Sequence, residues 1–353
     1  MPRTVKVAVV GLGSVGQAVT RLLLQTPTVK VVGVADPAPA SAGKDLGTAL
    51  GLPRRLRIKV HADPERFVRK LTADAAVVCT SSLLKEVKPQ ILGLVSRRIR
   101  VLTTCEELAF PVPPRMAGAR EIARAAKAKK VAVLAAGLNP GFTMDSLALT
   151  LTAPCTGVRR VSVTRVQDAG TRRLPLQRRV GAGLNLGQFR RAVTEGTVRH
   201  VGLVESAHMI ASALGWKLDR VDETLEPAIA PRDLDTEYLR IPAGAAAGIR
   251  QAVRGFRKGE LAVSLDLQVY VRAEAPRDHI LIDADPPVDA TVAGGISGEV
   301  AAAAILVNTL PRLLAAPPGL ATVKDLPLLH ALNPHDPVSY THLRAHETTS
   351  LIS

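Results

Sequence analysis

The N-terminal stretch Val5-Lys6-Val7-Ala8-Val9-Val10-Gly11-Leu12-Gly13-Ser14-Val15-Gly16 restricts the fold of this chain more than any other. Its apolar run reads as a buried parallel strand, which stops at Gly11, and an apolar helical pattern starts at Gln17. In the G-x-G-x-x-G spacing each glycine has its own task. Gly11 makes a tight turn, Gly13 lets a pyrophosphate approach the backbone, and Gly16 lets helix and strand pack closely. The helix behind the turn offers unpaired N–H groups and a positive dipole end to phosphates, and Ser14 and Val15 of the turn are expected to bind the cofactor with the glycines. Val29–Asp36 reads as the next strand, and an acid at its end, about 20 residues past the glycines, suits the ribose hydroxyls of a dinucleotide. The expected cofactor is NAD(H) or NADP(H): Asp36 favours the first, while Ser41 and Lys44 just behind it leave the second open.

The same rhythm continues. Ala73–Thr80 is an apolar strand that ends in Thr80-Ser81, small hydroxyl residues expected along the cofactor path. Leu83–Ser96 reads as a helix, Arg100–Thr104 as a strand, Met116–Lys130 as a helix and Val131–Ala136 as a strand. Alternating strands and helices of this kind make a Rossmann-type parallel sheet over residues 1–136. The pattern then changes. Val158–Gln167 alternates like a strand with one wet face, Leu186–Glu195 and Val201–Leu214 read as helices, and Leu225–Ala230, Leu261–Ala273 and His279–Asp283 read as strands. The expectation is α/β overall: an N-terminal Rossmann parallel sheet plus a C-terminal α+β domain, residues 137–297, with an open mixed sheet. Residues 298–336 carry an Ala-rich helix, Gly298–Leu314, expected to return to the first domain.

Bulk properties narrow the function classes. A chain of 353 residues can bury two cores. No apolar run approaches the length of a membrane span and no signal-peptide pattern opens the chain, so neither a membrane partner nor export is expected. Cys79, Cys105 and Cys155 are far apart and odd in number, which suggests a reducing, cytoplasmic setting without disulfides or a metal site. The formal net charge of +15 calls for an anionic partner. The arginines are scattered and aromatic residues are few, so a phosphate-bearing cofactor accounts for the charge better than nucleic acid does.

Candidate chemistry gathers at strand ends. Glu106 and Glu107 follow the strand at Arg100–Thr104, at the edge where a nicotinamide is expected. A carboxylate in an apolar cleft can exchange protons with an amine or water and steady an iminium. Adjacent residues at such a junction point different ways, so one of the two is expected to face the cleft; a capping or surface pair is the other reading. Asn139 of Asn139-Pro140-Gly141 is placed to bond the nicotinamide carboxamide or the substrate, unless this is an ordinary turn. Gln167 and Arg173 bound a polar stretch that either lines the substrate site or forms a solvated loop. His200 and His208 read as helix or core histidines, and the single Trp216 as a packing residue.

These stretches together resemble the 2,4-diaminopentanoate dehydrogenase family, which is related to dihydrodipicolinate reductase and includes the native amine dehydrogenases. The resemblance rests on GLGSVG (11–16), DPAPASAGKDLG (36–47), TTCEELAFP (103–111), GLNPGFTMD (137–145), RVQDAGTRR (165–173), RRVGAGL (178–184), HVGLVESAHMIASALGW (200–216) and GGISGEVAAAAILVN (294–308). It implies a homodimer and NAD(P)-dependent oxidative deamination of an amine, or reductive amination of a ketone or aldehyde with ammonia. The catalytic glutamate falls on Glu106 or Glu107, and Phe142, Thr143 and Met144 shape an apolar substrate pocket. One departure is Gly298-Glu299-Val300-Ala301-Ala302, where Gly-Asp-x-Ala-Thr is expected. Other readings are 2,4-diaminopentanoate dehydrogenase proper, a C=N or C=O reductase of the dihydrodipicolinate reductase type, and a non-catalytic NADH sensor. Residues 337–353 are expected to be foreign: Pro337–Thr348 back-translates into a string resembling a transposase adaptor of sequencing libraries, which points to an environmental shotgun origin.

Overall fold

Side chains that are apolar on both faces of a strand call for cover on both faces, and this decides the first unit. The computed structural model describes residues 4–113 and 115–331; the proposed foreign tail lies outside them. β1 (Val5–Val10) is buried at five of its six positions, and β4 (Ala75–Val78) and β6 (Ala132–Ala135) are buried throughout. With β2 (Val29–Ala35), β3 (Val60–His61), β5 (Arg100–Thr103) and β15 (Gly319–Ala321) they form one seven-stranded sheet, ordered β15-β6-β5-β4-β1-β2-β3. Every neighbouring pair is parallel. Parallel strands require crossovers. These carry α1 (Ser14–Gln25), the single turn α2 (Leu46–Ala49), α3 (Pro64–Lys70), α4 (Leu84–Ser96) and α5 (Met116–Lys129).

The chain divides into two compact units. The first takes the described residues up to Leu138 together with those from Gly298 on, and the second is Asn139–Ser297. α10 (Gly298–Ala315) packs on α1, β5 and β6 within the first unit. It has the length and apolarity of a membrane span, contrary to the expectation that no run comes close. The physical reason is its place in the core, where Leu306, Leu310 and Leu313 are fully enclosed.

The second unit is a six-stranded mixed sheet, ordered β14-β13-β7-β12-β11-β8. Its strands are β7 (Thr156–Asp168), β8 (Arg220–Ile229), β11 (Ala246–Arg257), β12 (Glu260–Tyr270), β13 (Arg277–Asp285) and β14 (Val288–Ala293). β7 and β12 run parallel, and the other neighbours are antiparallel. β9 (Leu234–Asp235) and β10 (Arg240–Ile241) form a separate short pair. α6 (Ser146–Leu151) and α9 (Leu203–Ala213) cover one face. Their Ala148, Leu203, Ala207 and Ile210 pack on a row formed by Val253, Leu265, Val163 and Ile280. α8 (Leu186–Thr194) adds Phe189 to a smaller core that also takes in Val180, just past α7 (Leu174–Arg179).

The α/β architecture matches the expectation, while several elements do not. The strand expected at Leu225–Ala230 begins earlier, at Arg220, and β3, β9, β10, β11, β14, β15, α2, α3, α6 and α7 had no counterpart among the expected elements. The helix expected over Val201–Leu214 spans Leu203–Ala213, and His200 lies before it.

Candidate functional site

The strand order sets up a ligand edge in the first unit. All the first-unit strands point the same way, so the ends of β2, β1, β4 and β5 lie side by side on one edge. The order reverses direction between β1 and β4, and this switch point is where open parallel sheets take ligands. From the end of β2 to the end of β5 is three strand spacings, about 14 Å, on the order of an extended dinucleotide.

The glycine turn fits that ligand. Gly11 has φ +96°, and a Cβ there would run into the Cys79 carbonyl. A Cβ on Gly16 would strike the Gly11 carbonyl, so neither position accepts another residue. Gly13 differs: a Cβ there would meet nothing within 4 Å, and the space it faces is open to a phosphate. α1 has no side-chain N-cap, so the amides of Ser14 and Val15 stay free of a competing cap.

Asp36 follows β2 and is buried. Its Oδ2 accepts the Leu12 N–H, and its Oδ1 accepts the Ala38 N–H and the Ser41 hydroxyl, each at 2.8 Å. The acid therefore holds the glycine turn and the β2 loop in one piece. Beyond β4, Thr80 donates to Gln90 and Ser81 donates to Glu86, so both hydroxyls are tied to α4.

After β5 the chain enters a 3-10 turn, Glu106–Leu108, and the two acids separate. Glu107 is buried. Its Oε1 pairs with Arg115 Nε at 2.8 Å, and its Oε2 accepts the Leu84 N–H at 2.8 Å, at the start of α4. Glu106 is half-buried. Burial, with a contribution from the Glu106 charge, pushes the thiols of Cys79 and Cys105 up to about 12. The Cys79 side chain borders Gly16, so the Glu106 charge acts at the edge that carries the glycine turn.

The second unit has a polar row of its own. Beside the apolar row named above, on the same helix-covered face, Gln251, Leu267, Arg165 and Asp278 lie side by side on β11, β12, β7 and β13. Arg165 and Asp278 form a buried ion pair at 2.6 Å. Arg165 also donates to the Ile296 carbonyl, and Asp278 accepts the Ile296 N–H. Gln251 clamps the backbone of His200 at both its N–H (2.9 Å) and its C=O (2.8 Å), and also donates to Glu223. Asn139 Nδ2 lies 3.1 Å from His200 Nε2. Burial, reinforced by the cations of Arg179, Arg165 and Arg199, pushes the imidazole down to about 3, so His200 is neutral; the amide nitrogen facing Nε2 can only donate. The Asn139 Oδ1 is buried with no hydrogen-bond partner among the described residues, which costs about 1–3 kcal/mol unless a ligand supplies the donor.

The remaining expected residues are spread out. Met144 and Thr143 are fully enclosed, Met144 within the core, and Phe142 is half-buried. Gln167 takes a bond from Arg172 and packs against Gly295, where a Cβ would run into its Nε2. Arg173 is exposed at the start of α7. The structure thus brings Gly11, Gly13, Ser14, Val15, Gly16, Asp36, Thr80, Ser81 and Glu106 to one sheet edge, with Glu107 just behind. Arg165, Gln251 and Asp278 stood outside the expected site, because three strands up to 113 residues apart in sequence make a row that no local spacing betrays.

Residues 142–340 match the family model described as the 2,4-diaminopentanoate dehydrogenase C-terminal domain. The chain belongs to the 2,4-diaminopentanoate dehydrogenase family. Residues 5–136 match the oxidoreductase family with an NAD-binding Rossmann fold, and the chain is an NAD(P)-dependent oxidoreductase. A 2,4-diaminopentanoate dehydrogenase of Acetoanaerobium sticklandii is 32% identical over 339 residues, 93% of this chain and 95% of that relative. An amine dehydrogenase of Streptomyces virginiae is 23% identical, covering 91% of this chain and 96% of that one. The solved amine dehydrogenase of Mycobacterium smegmatis shares the fold with a TM-score of 0.83 at 20% identity, over 94% of this chain and 98% of that one.

Proposed function

We propose that this family member is an amine dehydrogenase. It joins ammonia to a ketone or aldehyde and reduces the product, and it runs the reverse oxidative deamination. The observation that carries this reading is the place of Glu106: a half-buried carboxylate just past β5, whose charge reaches Cys79 and Cys105 at the edge that carries the glycine turn.

In this reading Glu106 orients ammonia and takes one of its protons as the nitrogen attacks the carbonyl carbon, while a solvent proton turns the carbonyl oxygen into the carbinolamine hydroxyl. The carboxyl then protonates the departing hydroxyl, and the carboxylate left behind neutralises the iminium. The dinucleotide, when bound, supplies the hydride for the C=N carbon or takes it up in reverse. Ser14 and Val15 amides hold its phosphates, Gly13 lets them close in, and Asp36 keeps the turn in shape while facing the ribose. Positioning at this edge supplies much of the acceleration.

A second reading, 2,4-diaminopentanoate dehydrogenase proper, draws on the 32% identical relative. The chain is further proposed to act as a cytoplasmic homodimer. The sheet face opposite α6 and α9 carries Ser162, Thr164 and the 38%-exposed Leu281, and light scattering on a sizing column checks the dimer. The deciding assay follows NADH and NADPH oxidation across a carbonyl panel with and without ammonia. Oxidation that needs ammonia supports the proposal. Oxidation indifferent to ammonia turns it into a C=O reductase. A diamino acid preferred over simple amines in the reverse direction selects the second reading.

A further inference from the structure

We infer that His200 is a positioning residue: its imidazole holds the Asn139 amide so that Oδ1 faces a bound N–H donor, either the substrate amine or the nicotinamide carboxamide. This rests on the proposed amine dehydrogenase reading and adds a residue to it.

An asparagine amide has two ends, and only its neighbours decide which one a ligand meets. Here Nδ2 is spent on His200 Nε2 at 3.1 Å, and Oδ1 is left buried without a donor. For Nε2 to accept, the ring carries its proton on Nδ1 and stays neutral. Burial first, then the cations of Arg179, Arg165 and Arg199, keep the ring neutral against the opposing hydrogen bond to the Asn139 backbone, and because Nδ2 can only donate, the ring nitrogen facing it is the acceptor. The ring itself has little freedom. Gln251, 1% exposed, grips the His200 N–H and C=O together and is anchored to Glu223. A chain of hydrogen bonds therefore runs from the sheet through His200 to one amide and ends in an acceptor with nothing to accept. A purely structural histidine would be satisfied by closing the chain. A buried acceptor at its end is what an incoming N–H group completes.

The test combines binding, turnover and the tautomer itself. Calorimetry compares NAD+ with its 3-acetylpyridine analogue, which lacks the carboxamide N–H, on the wild type, His200→Leu and His200→Gln. Steady-state assays give the amine KM for the same three proteins. If the carboxamide is the donor, His200→Leu weakens NAD+ binding roughly ten-fold, leaves the analogue unchanged, and His200→Gln, whose Oε1 can replace Nε2, restores it. If the amine is the donor, dinucleotide affinity stays constant, and the amine KM rises roughly ten-fold in His200→Leu and recovers in His200→Gln. Either pattern supports the inference. It is overturned if His200→Leu matches the wild type in both readouts, or if His200→Gln is as impaired as His200→Leu. NMR of selectively labelled histidine decides independently should a variant fail to fold: a neutral Nδ1–H form supports the proposal, and Nε2–H overturns it. A protein that binds NAD+ but turns over no amine refutes the amine dehydrogenase reading, while the binding and tautomer arms still judge this one.

Discussion

Glu106 and Glu107 are neighbours in sequence with opposite environments, and this difference predicts opposite phenotypes. Glu107→Ala removes the partner of Arg115 and the acceptor of the Leu84 N–H. The expected loss is about 1–3 kcal/mol of stability, read from urea midpoints, because the Leu84 N–H left behind is buried and Arg115 is half-buried. Glu106→Gln keeps the shape and removes the proton acceptor. Turnover is expected to fall about 10²- to 10⁴-fold with melting temperature and NADH affinity unchanged. Near-normal turnover in Glu106→Gln would remove the acid–base role. His200 supplies a pH signature. Its folded value, about 3, lies below the ordinary value of about 6.5, so the unfolded chain binds the extra proton between them. Its contribution to stability is complete above about 6.5 and is lost as pH falls towards the folded value. His200→Gln lacks this titration, so the stability gap between wild type and variant should narrow on acidification, by up to about 1.4 kcal/mol per pH unit. A gap that stays constant from pH 7 to pH 4 contradicts a neutral buried ring.

At the level of elements, the turn Asn139–Asp145 shows how a loop is made rigid. Asp145 is fully buried and caps α6; its oxygens accept from the Gly141 N–H, the Ser146 N–H and the Ser206 hydroxyl on α9. Burial pushes its carboxyl up, and the bonds from Gly141, Ser206 and Ser146, which gives both its N–H and its hydroxyl, oppose that. Asp145→Ala strands those donors and is expected to cost about 2–4 kcal/mol in a denaturant melt, with Asp145→Asn recovering part of the loss. The elements legible in the sequence are those whose signal is local. β1, β2, β4, β5 and β6 are apolar runs, and the glycine turn has a fixed spacing. β11 escaped because AAGIRQAVRGFR puts Arg250, Gln251 and Arg254 among its apolar residues, and its identity as a central strand comes from β8 and β12 on either side. The site divides the same way. The glycines, Asp36 and the paired glutamates could be read directly. Which glutamate is structural depended on Arg115 and the α4 amide, and the partner of His200 lay 61 residues away.

For the whole molecule, the decisive feature is that the chain leaves the first unit at Leu138 and re-enters it at Gly298. The returning segment is structural. β15 extends the sheet beside β6, and α10 lays Leu306, Leu310 and Leu313 into the core against α1, β5 and β6. Burying each such leucine contributes roughly 1.5–3 kcal/mol, so together they rival the 5–15 kcal/mol net stability of a typical domain. A chain stopped at Ser297 therefore retains every residue of the glycine turn, Asp36 and Glu106 yet lacks one wall of the unit that holds them. It is expected to lose its cooperative thermal transition by circular dichroism and to bind NADH no better than a denatured control. A C-terminal cut after Ala331 keeps α10 and β15 and should melt like the full chain. If the chain ending at Ser297 unfolds cooperatively and still titrates with NADH, the first unit is complete without its returning helix, and the cofactor edge owes its shape to residues 5–138 alone.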